Sequence, residues 1–212
     1  MYFKVCLGCG NIREREEEFQ DIMLQVEGID NIISSLYSYV AIERLREDNR
    51  YECDHCTVIN QKGKQDANMA VGFRKLPKVL VFTLTRFGFD WAKDTRFKIN
   101  SQFKFPLVLD MAPFTEENIR KTLNLSTDES PNKQKNESSN SDNTGRQDKK
   151  SKKPKLMENE IDENSSELYD LVGVVIHSGV AHGGHYYAYI KDRFIYFLSI
   201  PFTLCLKRFC AD

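Results

Sequence analysis

Apolar and polar positions divide the chain into three patterned stretches and one unpatterned stretch. In the first, residues 1–60, Ile32, Ile33, Leu36, Tyr39 and Val40 recur at helical spacing, which predicts a short amphipathic helix near 30–40. Asp30 stands where its N-cap would be. The second stretch covers about 67–114. There KVLVFTLTRFGF (78–89) is dense in β-branched and aromatic residues and predicts one buried strand. RFKINSQFKFP (96–106) then alternates, with Phe97, Ile99, Phe103 and Phe105 on its apolar side and an Asn-Ser turn between. The third stretch opens at Tyr169. YDLVGVVIHSG reads as a strand and GHYYAYIKD as its hairpin partner, with Tyr187 and Tyr189 on one face and Tyr186, Ala188 and Ile190 on the other.

Between the second and third stretches, residues 118–166 lose the pattern. This segment is rich in Ser, Asn, Lys and Glu, and it cannot bury enough apolar surface to offset its ordering entropy. It is expected to be a disordered, charged insertion. The apolar run FIYFLSIPFTLCL (194–206) is shorter than the ~20 residues of a membrane span, and Pro201 interrupts it. Lys+Arg (30) and Asp+Glu (31) nearly cancel, so the chain as a whole has no electrostatic pull toward nucleic acid or an anionic membrane. MYFKVCLGCG is not a secretory signal, so the six cysteines are expected to be reduced thiols or metal ligands. The expected compartment is the cytoplasm. KKSKKPK (149–155) admits the nucleus as well, although a solvated charge run is the favoured reading.

Two constellations carry chemistry. Cys6-Leu-Gly-Cys9 and Cys53-Asp-His-Cys56 are two knuckles, each able to present two thiolates to one ion. Together they predict one closed, structural zinc site. The alternative, four thiols without metal, is less favoured because two such pairs in one domain are uncommon. A redox dithiol is weaker still, since neither pair is expected to open a helix after a strand in a βαβ unit. His55 is read as a bystander. The second constellation is Gly183-Gly184-His185. The glycines suit a strand start that another backbone approaches closely, and the histidine could act as a general base. On spacing alone, a structural or surface histidine is the more common outcome.

The joint order changes that weighting. Two Cys-x-x-Cys knuckles, KLPKVLVFTLTRF, FKFPLVLDM and LYDLVGVVIHSGVAHGGHYYAYIK follow one another as in the ubiquitin-specific proteases, the cysteine-type deubiquitinases. The resemblance runs from Cys6 to about Asp192, apart from the insertion. It implies an α+β fold of the papain-like cysteine protease superfamily, shaped as a hand of fingers, palm and thumb. Residues 1–60 would be zinc-knuckle fingers, 67–117 and 167–192 palm, and 193–212 a tail foreign to the family; the thumb would be missing. Cys6, Cys9, Cys53 and Cys56 match the family's metal ligands and His185 its catalytic histidine. Gly183 and Gly184 match the loop beside the channel for the ubiquitin tail. Ubiquitin and ubiquitinated proteins would be the partners, and thiol-dependent isopeptide or peptide hydrolysis the activity.

Two departures qualify that expectation. The family nucleophile precedes the first knuckle, whereas Met1 lies five residues before Cys6, and no other cysteine matches it. The family's Asp or Asn after the histidine strand also has no counterpart in RFIYFLSIPFTLCLKRFCAD. The expectation is therefore a fragment of a deubiquitinase that is inactive alone. A ubiquitin-binding pseudo-enzyme is the second reading. A nucleic-acid-binding zinc ribbon is the third, and the balanced charge counts against it. Without the thumb, strands 79–87 and 169–177 are expected to expose apolar surface.

Overall fold

The computed structural model describes residues 1–60, 63–123, 167–191 and 201–208. In chain order the elements are β1 (Tyr2–Cys6), β2 (Ile12–Arg15), β3 (Ile22–Gln25), α1 (Ile32–Tyr39), β4 (Glu43–Leu45), β5 (Tyr51–Glu52), α2 (Asp54–Asn60), β6 (Lys64–Gln65) and β7 (Ala67–Val71). They continue as β8 (Val79–Thr85), β9 (Phe87–Asp90), β10 (Thr95–Lys98), β11 (Val108–Asp110), α3 (Glu116–Thr122), β12 (Leu168–Val180), β13 (Gly183–Ile190) and β14 (Pro201–Arg208). A six-stranded sheet runs β11-β12-β14-β8-β3, with β13 added on β12. A four-stranded sheet runs β2-β1-β7-β4, and β5–β6 and β9–β10 are separate two-stranded ladders. Among the described residues no helix is long and apolar enough to cross a membrane.

One apolar core serves both large sheets. Phe3 and Ala70 from the four-stranded sheet join Leu24, Leu36, Leu80, Phe82, Leu84, Tyr169, Val174 and Leu204. Helix α1 forms as its spacing predicts, with Ile32 and Leu36 buried. Its cap is Asn31 rather than Asp30: the Asn31 side-chain oxygen accepts from the Ser34 N–H at 2.7 Å. An Asn there satisfies one of the orphan amides of the first turn. The stretch 1–60 does not form one unit. Strand β3 pairs in parallel with β8 inside the six-stranded sheet, while β7 crosses over to pair with β1.

The apolar run 78–89 is two strands, not one. It breaks at Arg86, which is buried and donates from Nη1 to the carbonyls of Ile99 and Ser101, both at 2.9 Å. Burial lowers the guanidinium pKa to about 10. The hairpin after the break turns at residues 91–94, with Asp90 Oδ1 accepting from the amides of Ala92 and Lys93. The predicted Asn100-Ser101 turn is instead part of the irregular segment that Arg86 holds. Phe103 still reaches the core, so its apolar alternation reported burial without reporting a strand.

Residues 118–122, placed in the insertion by composition, complete helix α3. Ile119 is buried, and Glu116 is held by Arg74 (Nε to Oε2, 2.5 Å) and by Arg120 (Nε to Oε1, 2.9 Å). The remainder of the predicted insertion, 124–166, lies outside the described residues.

The largest correction concerns the end of the chain. Residues 201–208, read as a foreign tail, form β14, which pairs antiparallel with both β12 and β8. Leu204 and Leu206 are buried, and the exposure expected of 79–87 and 169–177 is confined to their edge at Val79 and Phe87: Leu80, Phe82, Leu84, Tyr169, Leu171, Val174 and Ile176 are all buried. More exposed apolar surface lies on β13 (Tyr186, Tyr187, Tyr189, Ile190) and on the β9–β10 hairpin, where Trp91 is 87% exposed. The inward alternation of Leu204 and Leu206 spans too few residues to reveal a strand or its neighbours from the sequence. Leu204→Ala is expected to cost about 2–5 kcal/mol by lost transfer energy and cavity formation. Urea denaturation measures it, and a tail outside the core would show almost no change.

Candidate functional site

The first candidate site is sulfur. Cys6 ends β1, Cys9 follows in the next turn, Cys53 directly precedes α2, and Cys56 lies in the first turn of α2. The second knuckle opens the short helix α2, which begins at Asp54 just after β5. The unit is not βαβ, since β5 and β6 pair antiparallel. Gly10, with φ +72°, turns the chain after the first knuckle. The four Sγ atoms lie within 4.8 Å of one another, and the Cys6–Cys56 and Cys9–Cys53 pairs are each 3.7 Å apart. A tetrahedral ion with metal–sulfur bonds of about 2.3 Å sets its sulfurs about 3.8 Å apart. The spacing suits such a site.

Burial raises the thiol pKa values of Cys6 and Cys56. Burial also acts upward on Cys53, but hydrogen bonds from the Cys56 backbone and the neighbouring thiols outweigh it, and that thiol is lowered. Three buried sulfurs and one half-buried one would be poorly solvated as thiolates without a cation.

The second candidate site is the β12–β13 hairpin. Its register is continuous: Ser178 faces His185, His177 faces Tyr186, and Gly179 faces Gly184. His185 shares a face of β13 with Tyr187 and Tyr189, whose rings meet edge to face at 5.6 Å. His185 itself is exposed. His177 is its opposite: buried, with Nδ1 lacking a hydrogen-bond partner among the described residues, and packed against Phe87 (5.2 Å) and Tyr186 (4.8 Å). Burial, followed by the nearby Lys98 charge, lowers the His177 pKa, so this ring is held neutral. Sequence reading passed over His177. Alternation gave no signal, since His177 is out of phase with the buried Val174 and Ile176.

The two glycines differ. A Cβ on Gly184 would lie 2.3 Å from the Ser178 carbonyl oxygen and 2.4 Å from His177 Nε2, whereas a Cβ on Gly183 would meet nothing within 4 Å. The close approach expected of the pair is thus made at Gly184 alone, and by its own hairpin partner. Gly179, opposite, has φ +128° and is as crowded.

No described thiol is offered to His185. Four cysteines are gathered in the sulfur cluster. Cys205 sits at the rung of Gly173, five residues along β12 from the rung of His185, or about 17 Å at strand rise. Cys210 and both aspartates weighed for the triad, Asp192 and Asp212, lie outside the described residues.

Gly184→Ala is expected to destabilise the hairpin by about 1–3 kcal/mol, the usual cost of forcing atoms into a packed site. Gly183→Ala should be nearly neutral. Amide exchange along β12 and β13 in the two variants measures the difference.

Comparison with known proteins agrees on the family. The family model described as ubiquitin carboxyl-terminal hydrolase matches residues 4–199. Ubiquitin carboxyl-terminal hydrolase 9X of Mus musculus is 35% identical over 191 residues, covering 90% of this chain and 6% of that protein. Ubiquitin carboxyl-terminal hydrolase 24 of Homo sapiens is 36% identical over 190 residues, again 90% of this chain and 6% of the relative. Ubiquitin C-terminal hydrolase 12 of Arabidopsis thaliana is 32% identical over 191 residues, 90% of this chain and 13% of its own length. The chain therefore spans a small part of these relatives. The polar insertion and RFGFDW (86–91) also resemble the subgroup of ubiquitin carboxyl-terminal hydrolase 47, which these relatives do not single out. Among solved structures, the SAGA Ubp8/Sgf11/Sus1/Sgf73 DUB module bound to ubiquitin aldehyde has a chain that aligns with a TM-score of 0.62 at 22% identity, covering all of this chain and 41% of that one. The fold is thus shared with part of that chain, and this chain belongs to the ubiquitin carboxyl-terminal hydrolase family.

Proposed function

We propose that this chain supplies the ubiquitin-holding body and the catalytic histidine of a thiol-dependent deubiquitinase. The observation that carries the reading is the β12–β13 hairpin, which presents His185 on a continuous ladder inside the family match. In the proposed reaction a cysteine thiolate attacks the carbonyl carbon of the bond that joins ubiquitin to its conjugate. His185 takes the thiol proton and returns it to the leaving amine. Water then attacks the acyl-enzyme, and the proton passes back through the same imidazole. An exposed imidazole suits this task because both of its charge states are solvated. The described residues supply no thiol to His185, so the thiol is assigned to no residue here.

Cys6, Cys9, Cys53 and Cys56 would hold one zinc ion as four thiolates. Zinc bound there is structural: a closed four-sulfur site leaves no position for substrate or water. The cysteines tie β1 to α2 across the end of the four-stranded sheet. His55, inside the second knuckle, is not needed as a ligand.

A second reading, a ubiquitin-binding module without catalysis, is favoured by the distance of Cys205 from the His185 rung. Both readings require ubiquitin binding. Titration of the whole chain with ubiquitin, followed by calorimetry or NMR, should give saturable binding; its absence counts against both. Within an active polypeptide that contains this chain, His185→Gln should lower kcat by about 10²–10⁴-fold, the usual contribution of a positioned general base. An unchanged kcat removes His185 from the mechanism. Metal analysis should find one zinc per chain, and chelation should lower the thermal midpoint. A well-folded, metal-free chain would remove the zinc assignment.

A further inference from the structure

The far end of the histidine hairpin has little apolar packing to hold it. Ser178, Gly179 and Val180 on β12 are exposed, as is every residue of β13. The described ladder of β14 on β12 begins at the rung Ile176–Pro201, so the edge of β12 beyond Ile176 has no β14 rung. Along a strand successive carbonyls point to opposite edges, so those of His177 and Gly179, two residues apart, share one. Unmet, both would be backbone acceptors in need of a donor.

One side chain meets both. Lys98, the last residue of β10, donates from Nζ to the carbonyl of His177 at 2.8 Å and to that of Gly179 at 3.2 Å. The two carbonyls flank Ser178, the residue whose rung carries His185. Lys98 is itself placed with care. The next residue, Ile99, donates its N–H to the Arg86 carbonyl at 2.7 Å, and Arg86 Nη1 returns a bond to the Ile99 carbonyl. Phe87, next to Arg86, stacks edge-on against His177. The base of the β9–β10 hairpin is thereby fixed to the buried Arg86, and from it one ammonium reaches across to β12. Burial and the Arg86 charge lower the Lys98 pKa, as expected of an ammonium drawn partly out of water.

We propose that Lys98 is a positioning residue for the His185 hairpin: its ammonium bridges the His177 and Gly179 carbonyls beyond the last described β14 rung, and so fixes the rung on which His185 sits. Its bearing on catalysis rests on the reading of His185 as general base; the anchoring does not. Charge-assisted bonds to two carbonyls are stronger than neutral ones, and here they act where apolar packing has ended. Arginine can make the same two bonds, whereas methionine keeps the stem and loses both.

The test uses the whole chain, with amide hydrogen exchange and the His185 imidazole resonances as readouts. In Lys98→Met, the amides of residues 178–186 should exchange at least tenfold faster, and the His185 ring signals should move toward those of a free histidine. The amides of β1, β7 and α1 should be unchanged, which separates the effect from general unfolding. Lys98→Arg should restore both readouts. Unchanged exchange and unchanged His185 signals in Lys98→Met would overturn the proposal, as would loss of protection spread evenly over the whole chain or failure of Lys98→Arg to restore the hairpin. If Lys98→Met loosens the hairpin as expected but His185→Gln leaves kcat intact in an active polypeptide, the anchoring stands and the catalytic reading fails.

Discussion

β12 is the strand to which the rest of the molecule is fitted. It runs for 13 residues and is paired by three others, with β11 at its start, β13 along its second half, and β14 along the opposite edge. It can serve three partners because β11 and β13 take successive lengths of one edge and β14 takes the other. Tyr169 and Leu171 are buried before the irregularity at Leu171–Gly173, and Val174 and Ile176 after it. An extra residue in one strand of a ladder reverses which side chains point inward. The shift keeps both halves of β12 turned to the core, through Tyr169 and Leu171 and then through Val174 and Ile176.

What the sequence disclosed follows from the range of the forces involved. The helix over Ile32–Tyr39 and the hairpin of β12 and β13 are set by local periodicity, and both form as read. The cysteine knuckles were legible because a short turn fixes each pair and sulfur has few other uses in such spacing. Arg86 was not legible. A charged residue within an apolar run gives no sign that distant carbonyls of Ile99 and Ser101 will satisfy it, so one strand was expected where there are two. The same limit hid Lys98 and the difference between Gly183 and Gly184. In each case the deciding contact is made with another segment of the chain, which no local pattern encodes.

The helical end of the second patterned stretch shows a further limit. Glu116 to Thr122 are polar and charged, and their composition runs on smoothly into the segment that follows. Order there comes from one apolar residue, Ile119, and from the paired Glu116, Arg74 and Arg120. Such partly buried, interlocked ion pairs hold a short helix that propensity alone would leave frayed. Composition averages over windows wider than this single anchoring turn, and so it set the boundary several residues too early.

The place of β14 has a consequence for how the chain is made. β8 and β12 do not pair with each other; each waits for a strand that follows both in sequence. During synthesis, residues 79–85 and 168–180 therefore emerge with their facing edges open, and neither edge can close until residues 201–208 arrive. Contacts of such long sequence separation form slowly, because loop closure must precede any gain from pairing. Two apolar strands with free edges are also templates for pairing between chains. The same strand that completes the sheet thus sets a window during translation in which this protein is most exposed to aggregation, and most in need of a chaperone that covers strand edges.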